Sequence, residues 1–283
     1  MTLKLDHIVI AVHDLDTTIA DYAALGFNVL RGGDHPGRTT HNALVVFEDG
    51  SYFELIAWKA PAPEERWWQW LQRHGEGIVD FALLPPDAGE VVRAAAQRGL
   101  VLEGPIDGGR VRPDGERLRW QVARAPSPDL PFLCGDLTPR RLRVPEGTAR
   151  VHPNGAQGVA SLAIAVRDLE TTLAGYRALL GPAAPGQASC IGGAATLPGT
   201  RTRLASVALG DSTLQLFSPK QTTQSGDPGE DAIGLRLAAR GEGPFAVVLR
   251  ATGTATAVSL DLARSHGAAI ELESLVPLAR AAA

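Results

Sequence analysis

The feature that most constrains this chain is an internal echo. The stretch "LDHIVIAVHDLDTTIADYAALGF" (5–27) returns as "VASLAIAVRDLETTLAGYRALLG" (159–181), keeping Ile-Ala-Val, then Asp-Leu, Thr-Thr and Tyr. A second pair follows: "RHGEGIVDFALLP" (73–85) and "ARGEGPFAVVLRA" (239–251) both place Gly-Glu-Gly before an apolar run. Two echoes of different units mean that a two-unit block is duplicated. The repeat far exceeds the ~20–50-residue period of solenoids, so it predicts two similar domains. One residue is not repeated: His7 aligns with Ser161.

The first unit reads as strand, helix, strand and hairpin. "HIVIAV" is β-rich, and Asp14 offers an N-cap to a helix with Leu15, Ile19, Tyr22 and Ala23 at helical spacing. Gly26 ends it, and "FNVLRGG" reads as a second strand. Asp49-Gly50 then sits between "NALVVFE" and "SYFELIAW", a hairpin signal. A short helix carrying Trp67, Trp68 and Trp70 follows. These three cannot share a face, since helix neighbours diverge by about 100°, and packing between units is their expected role, with a substrate lid as the alternative.

The second unit starts at "IVDFALL" and ends near Asp136. The Pro-, Gly- and charge-rich segment that follows places the domain junction: a first domain over 1–140, a linker over 141–157 and a second domain over 158–283. Arg140-Arg141-Leu142-Arg143 reads as a solvated stretch. The third unit has the strand 159–166 and the helix 168–180, and the fourth is truncated.

Bulk properties narrow the function classes. Of 283 residues, 45% are hydrophobic and 20% charged, with a net charge of −4. No basic run suggests nucleic acid, and no apolar run approaches the ~20 residues of a membrane span. The start lacks the pattern of an export signal. Two cysteines, Cys134 and Cys190, make no disulfide framework, so a cytoplasmic location is expected.

Paired strand–helix–strand–strand–strand units opened by "DHIVIAVHDLDTTIADYAALGF" resemble the vicinal oxygen chelate superfamily, the glyoxalase, bleomycin-resistance and extradiol-dioxygenase group. The segments "HPGRTTHNALVVFEDGSYFELIA" (35–57) and "HPNGAQGV" (152–159) resemble its glyoxalase-like branch. The resemblance implies an α+β fold: four tandem βαβββ modules, the last truncated, pairing into two incomplete barrels, each around a cleft. It also implies metal ligands on the first and last strands of each unit. Mapped here, those places are His7 and Glu54 in the first unit and fall near Asp80 and Cys134 in the second. In the third they are Ser161 and Gln215, and in the fourth about Ala246. A divalent ion (Zn, Ni, Mn or Fe) held by His7, Glu54 and Asp80 is the implied cofactor.

The residues themselves add a partly independent reading. A two-residue turn at Asp49-Gly50 opposes Val45 to Glu54 and His41 to Trp58, so His41, Tyr52, Glu54, Ile56 and Trp58 share one face. That mixture suits the wall of a polar cleft. Arg38, His41, Tyr52 and Trp58 are the expected substrate contacts and Glu54 the catalytic carboxylate, as base or as ligand. Each has a plainer alternative. Glu54 could be partly exposed and paired with Arg38 or another cation, His7 a hydrogen-bonded structural residue, Asp80 an anchor for a backbone amide, and Cys134 simply buried. His35 and His152 precede prolines and read as turn or surface residues. The expected function is a metal-dependent lyase or isomerase acting on a small vicinally oxygenated substrate in the first cleft. The alternative is a metal-free protein that sequesters a small molecule. A homodimer is the expected assembly, with the second domain structural or dimer-forming.

Overall fold

The computed structural model describes residues 3–111, 115–183, 188–220, 232–253 and 256–274. Its first half runs β1 (Lys4–Ala11), α1 (Leu15–Ala24), β2 (Leu30–Asp34), β3 (Thr40–Val46), β4 (Tyr52–Trp58), α2 (Arg66–His74), β5 (Gly77–Leu84), α3 (Ala88–Gln97), β6 (Glu103–Val111), β7 (Arg117–Arg124) and β8 (Phe132–Asp136). The second runs β9 (Ala156–Ala165), α4 (Leu169–Leu180), β10 (Ala195–Thr196), β11 (Thr202–Leu209), β12 (Ser212–Pro219), α5 (Ala232–Arg240), β13 (Gly243–Ala251), β14 (Val258–Ser259) and β15 (Ala269–Ser274). The helix starts follow the sequence. Asp14, Asp87 and Asp168 each accept a backbone N–H from the first turn of α1, α3 and α4, the stabilising role of an acidic N-cap.

The fold is α+β, with βαβββ units paired in two sheets. The first sheet has the order β2-β3-β4-β1-β5-β8-β7-β6 and the second β10-β11-β12-β9-β13-β15-β14. In each complete unit the last strand lies parallel beside the first, and the first strands of two units meet antiparallel. In the fourth unit β15 takes the last-strand place, parallel to β13. The repeat extends to register. His7 faces Tyr52 and Val9 faces Glu54; Ser161 faces Thr213 and Ala163 faces Gln215.

Each half has its own sheet but not its own core. One buried apolar cluster contains Ile8, Phe53 and Phe81 from the first sheet with Leu162, Ile164 and Leu216 from the second. The repeated tyrosines tie the halves reciprocally. Tyr22 donates to the Ser265 carbonyl and Tyr176 to the Asp129 carbonyl, each at 3.1 Å. The Gly-Glu-Gly echo has a matching cause: Glu76 accepts from the backbone N–H of His13 and Glu242 from that of Arg167, each at 2.7 Å. His13 and Arg167 each precede an N-cap aspartate, so the glutamate of one unit braces the strand–helix corner of the unit before it.

Two expectations change. The β3–β4 turn holds three residues, not two. Phe47 N–H donates to the Ser51 carbonyl, Gly50 adopts φ +82°, and Leu44 rather than Val45 faces Glu54. A one-residue slip moves every β3 side chain to the other face. His41 therefore leaves the cleft face and Asn42 takes its place. The basic stretch before the second sheet is solvated only in part: Arg141 is exposed and Arg140 half-buried. Arg143 is 8% exposed, because it enters the first sheet and meets two aspartates there.

Candidate active site

The first sheet curls around a cavity of about 430 Å³, and the elements above account for its wall. β1 carries an irregularity at Asp6: Leu5 faces Leu83, while His7 faces Ala82. A bulge of this kind breaks the alternation of faces, so two sequence neighbours meet: Asp6 Oδ2 lies 2.7 Å from His7 Nδ1. Asp6 is fully buried and also contacts Arg143 at 2.9 Å and Arg140 at 2.6 Å. Burial raises its pKa, but Arg143 first, then His7 and Arg140, hold the carboxyl well below the usual carboxylate range. An ionised carboxylate only accepts hydrogen bonds. His7 Nδ1 therefore carries a proton and donates it to Asp6, leaving Nε2 directed into the cavity.

His7 is fixed by rings as well. Tyr52 stacks on it with centroids 4.7 Å apart, and Phe132 meets it edge-on at 5.2 Å. The Tyr52 hydroxyl accepts from Arg143 at 2.6 Å, and burial raises its pKa well above the ordinary value. Glu54 lies 3.5 Å away, measured from its Oε2 to His7 Nε2. Its Oε1 accepts from the Asn42 amide at 2.7 Å and stands 3.6 Å from His35 Nε2. His35 Nδ1 is 2.8 Å from Thr40 Oγ1. Burial lowers the His35 pKa, with Arg110 and Arg38 adding to that and Glu54 opposing it.

Of the residues singled out from sequence, His7, Tyr52, Glu54 and Arg38 line this cavity, and His41, Trp58 and Asp80 do not. Trp58 packs edge-on against Trp68 at 5.7 Å and donates to Glu65 at 2.9 Å. Asp80 is 3% exposed. It accepts from Trp67 Nε1 and from the Phe81 amide, each at 2.9 Å, and pairs with Arg66. Burial raises its pKa against the pull of Arg66. Glu54 is 8% exposed, and His7, His35 and Asn42 rather than Arg38 stand against it.

The tryptophans divide. Trp67 lines the cavity, Trp68 packs on Trp58, and Trp70 lies beneath Arg240 of α5. His152, expected at the surface, is buried between the Asn28 amide and the Val46 carbonyl. His35 and Asn42 were missed, His35 for lack of any periodic signal around it. Asn42 would follow from a three-residue turn at Glu48-Asp49-Gly50.

The fit of a metal ion can be tested on these residues. Among the described residues, Asp6, His7 and Cys134 are a group whose ligating atoms all lie within 4.8 Å of one another. Its chemistry argues against that triangle, because Asp6 is already taken up by two guanidiniums and burial pushes the Cys134 thiol up to about 12. The other side of His7 fits better. Two ligands of one zinc-class ion, each ~2.1 Å away at a tetrahedral angle, lie about 3.4 Å apart; His7 Nε2 and Glu54 Oε2 are 3.5 Å apart. Asp6 supplies the carboxylate partner usual behind a ligating histidine. Of the second unit's two places, Asp80 is turned to Arg66 and Trp67. The other falls on Phe132, which faces Ala82 as Glu54 faces Val9; Cys134 is one step further along the same face. Phe132 has no ligating atom, so two ligands fit and four do not.

Comparison with known proteins agrees with this fold. The family model described as "Glyoxalase-like domain" matches residues 5–180. No curated protein sequence matches the chain. Among solved structures, a hypothetical protein from Staphylococcus aureus superposes with a TM-score of 0.69 at 15% identity, covering 97% of this chain and 100% of that one. A triple mutant of 4-hydroxymandelate synthase from Streptomyces coelicolor gives 0.58 at 18% identity, covering 88% and 71%. A xylose isomerase-like TIM barrel/4-hydroxyphenylpyruvate dioxygenase fusion protein gives 0.54 at 15%, covering 89% and 37%. At these identities the structures share the fold, and that alone.

Proposed function

Because the chain belongs to the glyoxalase-like domain family of the vicinal oxygen chelate superfamily, we propose that its first cavity is the active site of a lyase or isomerase for a small vicinally oxygenated substrate, with a divalent ion held by His7 and Glu54. The observation that carries this is the meeting of His7 Nε2 and Glu54 Oε2, two atoms able to ligate a metal, 3.5 Å apart in the wall of the cavity. When bound, the ion supplies Lewis-acid stabilisation of an oxyanion on the substrate. The chain's own residues do the rest. Asp6 keeps the His7 proton on Nδ1, and Tyr52 and Phe132 hold the ring. Asn42 fixes the Glu54 carboxylate. His35 Nε2 then stands at the cavity wall as the group able to move a proton, and burial favours its neutral form. The second sheet, with Ser161 and Gln215 at the equivalent places, acts as scaffold in this reading. A homodimer in the cytoplasm belongs to the same proposal; no described helix is long and apolar enough to cross a membrane.

A second reading is favoured by one observation. Asp80 is engaged elsewhere and Phe132 occupies the fourth place, as suits a cavity that sequesters its ligand without metal. Metal analysis separates the two. The enzyme reading expects uptake of about one equivalent of Zn, Ni, Mn or Fe(II), lost in His7→Ala and in Glu54→Ala. Uptake unchanged in both variants, or no uptake beside clear thermal stabilisation by small molecules, would reject it.

A further inference from the structure

The same cavity has a second pole. Arg38, on the turn between β2 and β3, and Arg124, at the end of β7, both line it. Among the described residues no carboxylate pairs with either guanidinium. Apart from the exposed Glu103, across the strand pair from Arg124, the acids on this side are already engaged. Glu65 accepts from Trp58 at 2.9 Å, Asp107 from Arg119 at 3.0 Å and Gln121 at 2.9 Å, and Asp80 from Arg66 and Trp67. Arg124 is half-buried. Burial pushes its pKa down and Arg66 and Arg38 add to the push, while Asp80 and the cross-strand Glu103 oppose it more weakly. Arg38 also acts on His35, which puts this cationic pole beside the Glu54 cluster.

A half-buried guanidinium with no carboxylate in hydrogen-bond contact is incompletely compensated in the free protein, and its planar fork of donors matches an oxyanion. We infer that Arg38 and Arg124 form an oxyanion subsite, and that the ligand of this cavity is a small organic acid or phosphate ester whose anionic group lodges between them. This rests on the reading of the cavity as a small-molecule site. It extends that reading by naming the class of molecule: one end carries oxygens for the His7–Glu54 pole, the other a carboxylate or phosphoryl group. An uncharged diol or ketone would leave the two arginines unpaired.

The test uses metal-stripped full-length protein, so that it does not depend on the proposed ion. Inorganic phosphate, succinate and uncharged succinamide are titrated by calorimetry and by thermal shift. Phosphate or succinate is expected to bind while succinamide does not, and the tighter of the two anions tells a phosphoryl from a carboxylate source. Arg38→Gln and Arg124→Gln should each weaken the anion about tenfold or more, the loss expected for hydrogen bonds to a charged group. If Arg124→Gln does not fold, the exposed Arg38→Gln carries the test. Equal anion binding in wild type and Arg38→Gln, or equal binding of succinamide and succinate, overturns the subsite. Failure of metal uptake with anion binding intact instead removes the proposed enzyme and leaves the subsite standing.

Discussion

Arg143 offers the sharpest test of how this site is built. It enters from the segment between the sheets and bonds Asp6 at 2.9 and 3.3 Å, Asp136 at 2.6 and 2.9 Å, and the Tyr52 hydroxyl at 2.6 Å. Arg143→Met keeps much of the side-chain volume and removes every one of these bonds. Asp6 would remain fully buried with only Arg140 and His7 as partners. Removing one partner of a buried ion pair costs ~3–5 kcal/mol. Because Arg140 stays, the lower end applies, about 3 kcal/mol. At ~2–4 °C per kcal/mol for chains of this order, Tm should fall by about 6–12 °C. The pH dependence has a definite sign. The folded pKa of Asp6 is depressed, so its contribution is complete above the unfolded value of ~3.9 and is lost as pH falls through the folded value. The gap between wild type and variant should therefore be flat from about pH 5 to 8 and narrow below about pH 4. Urea denaturation across that range measures it. A loss under about 1 kcal/mol at pH 7, or a gap that widens in acid, would refute the account of Asp6 as a carboxylate held ionised by Arg143.

Three smaller predictions follow from the same structure. Tyr22→Phe and Tyr176→Phe should each cost about 0.5–1.5 kcal/mol in denaturant unfolding, and the double variant about the sum; no loss in either would remove the reciprocal tie between halves. Gly50→Ala, at φ +82°, should cost about 1–2 kcal/mol, and a neutral result would speak against the three-residue turn that sets the β3 register. Cys134, buried with its thiol pushed up to about 12, should resist alkylation at pH 7.5 while the half-buried Cys190 reacts. Equal labelling rates by mass spectrometry would contradict that environment.

Much of the fold was legible because the signals were local and doubled. An aspartate before each helix, apolar runs at strand length and two echoes gave the unit and its repetition. The site was legible where a residue sits on a strand, as His7 and Glu54 do. It was less so where one residue of register decides the face. His41 and Asn42 are neighbours, and a turn of three residues instead of two exchanged their positions. Asp80 was placed on the right strand, but what it pairs with depends on α2, whose Arg66 and Trp67 announce no partner in sequence. Arg143 and His35 show the deeper limit. Each is positioned by contacts far along the chain (Arg143 with Asp6, His35 with Glu54), and neither lies in a periodic element that would reveal a face.

The pattern of what is repeated sorts residues by role without any alignment. Asp14 and Asp168 cap helices, Tyr22 and Tyr176 tie one half to the other, and Glu76 and Glu242 brace the same corner. A residue needed by the fold is needed in both copies. His7, Glu54 and Asp80 lose their counterparts, which in matching register are Ser161, Gln215 and Ala246. The place of Phe132 holds Glu271, facing Val248 on β13, so the second sheet carries one carboxylate where a ligand set would need several. If His7 and Glu54 were structural, the second sheet would need substitutes for them, and it folds in the same register with a serine and a glutamine. Their presence on the first sheet, in a cavity that Arg38 and Arg124 also line, is the asymmetry the proposed function expects. Placing histidine at 161 and glutamate at 215 should leave the fold intact and still yield no metal uptake there, since no arginine-held aspartate stands behind residue 161 to fix the ring. Uptake at the second sheet equal to that at the first would show that the Asp6–Arg143 support is dispensable.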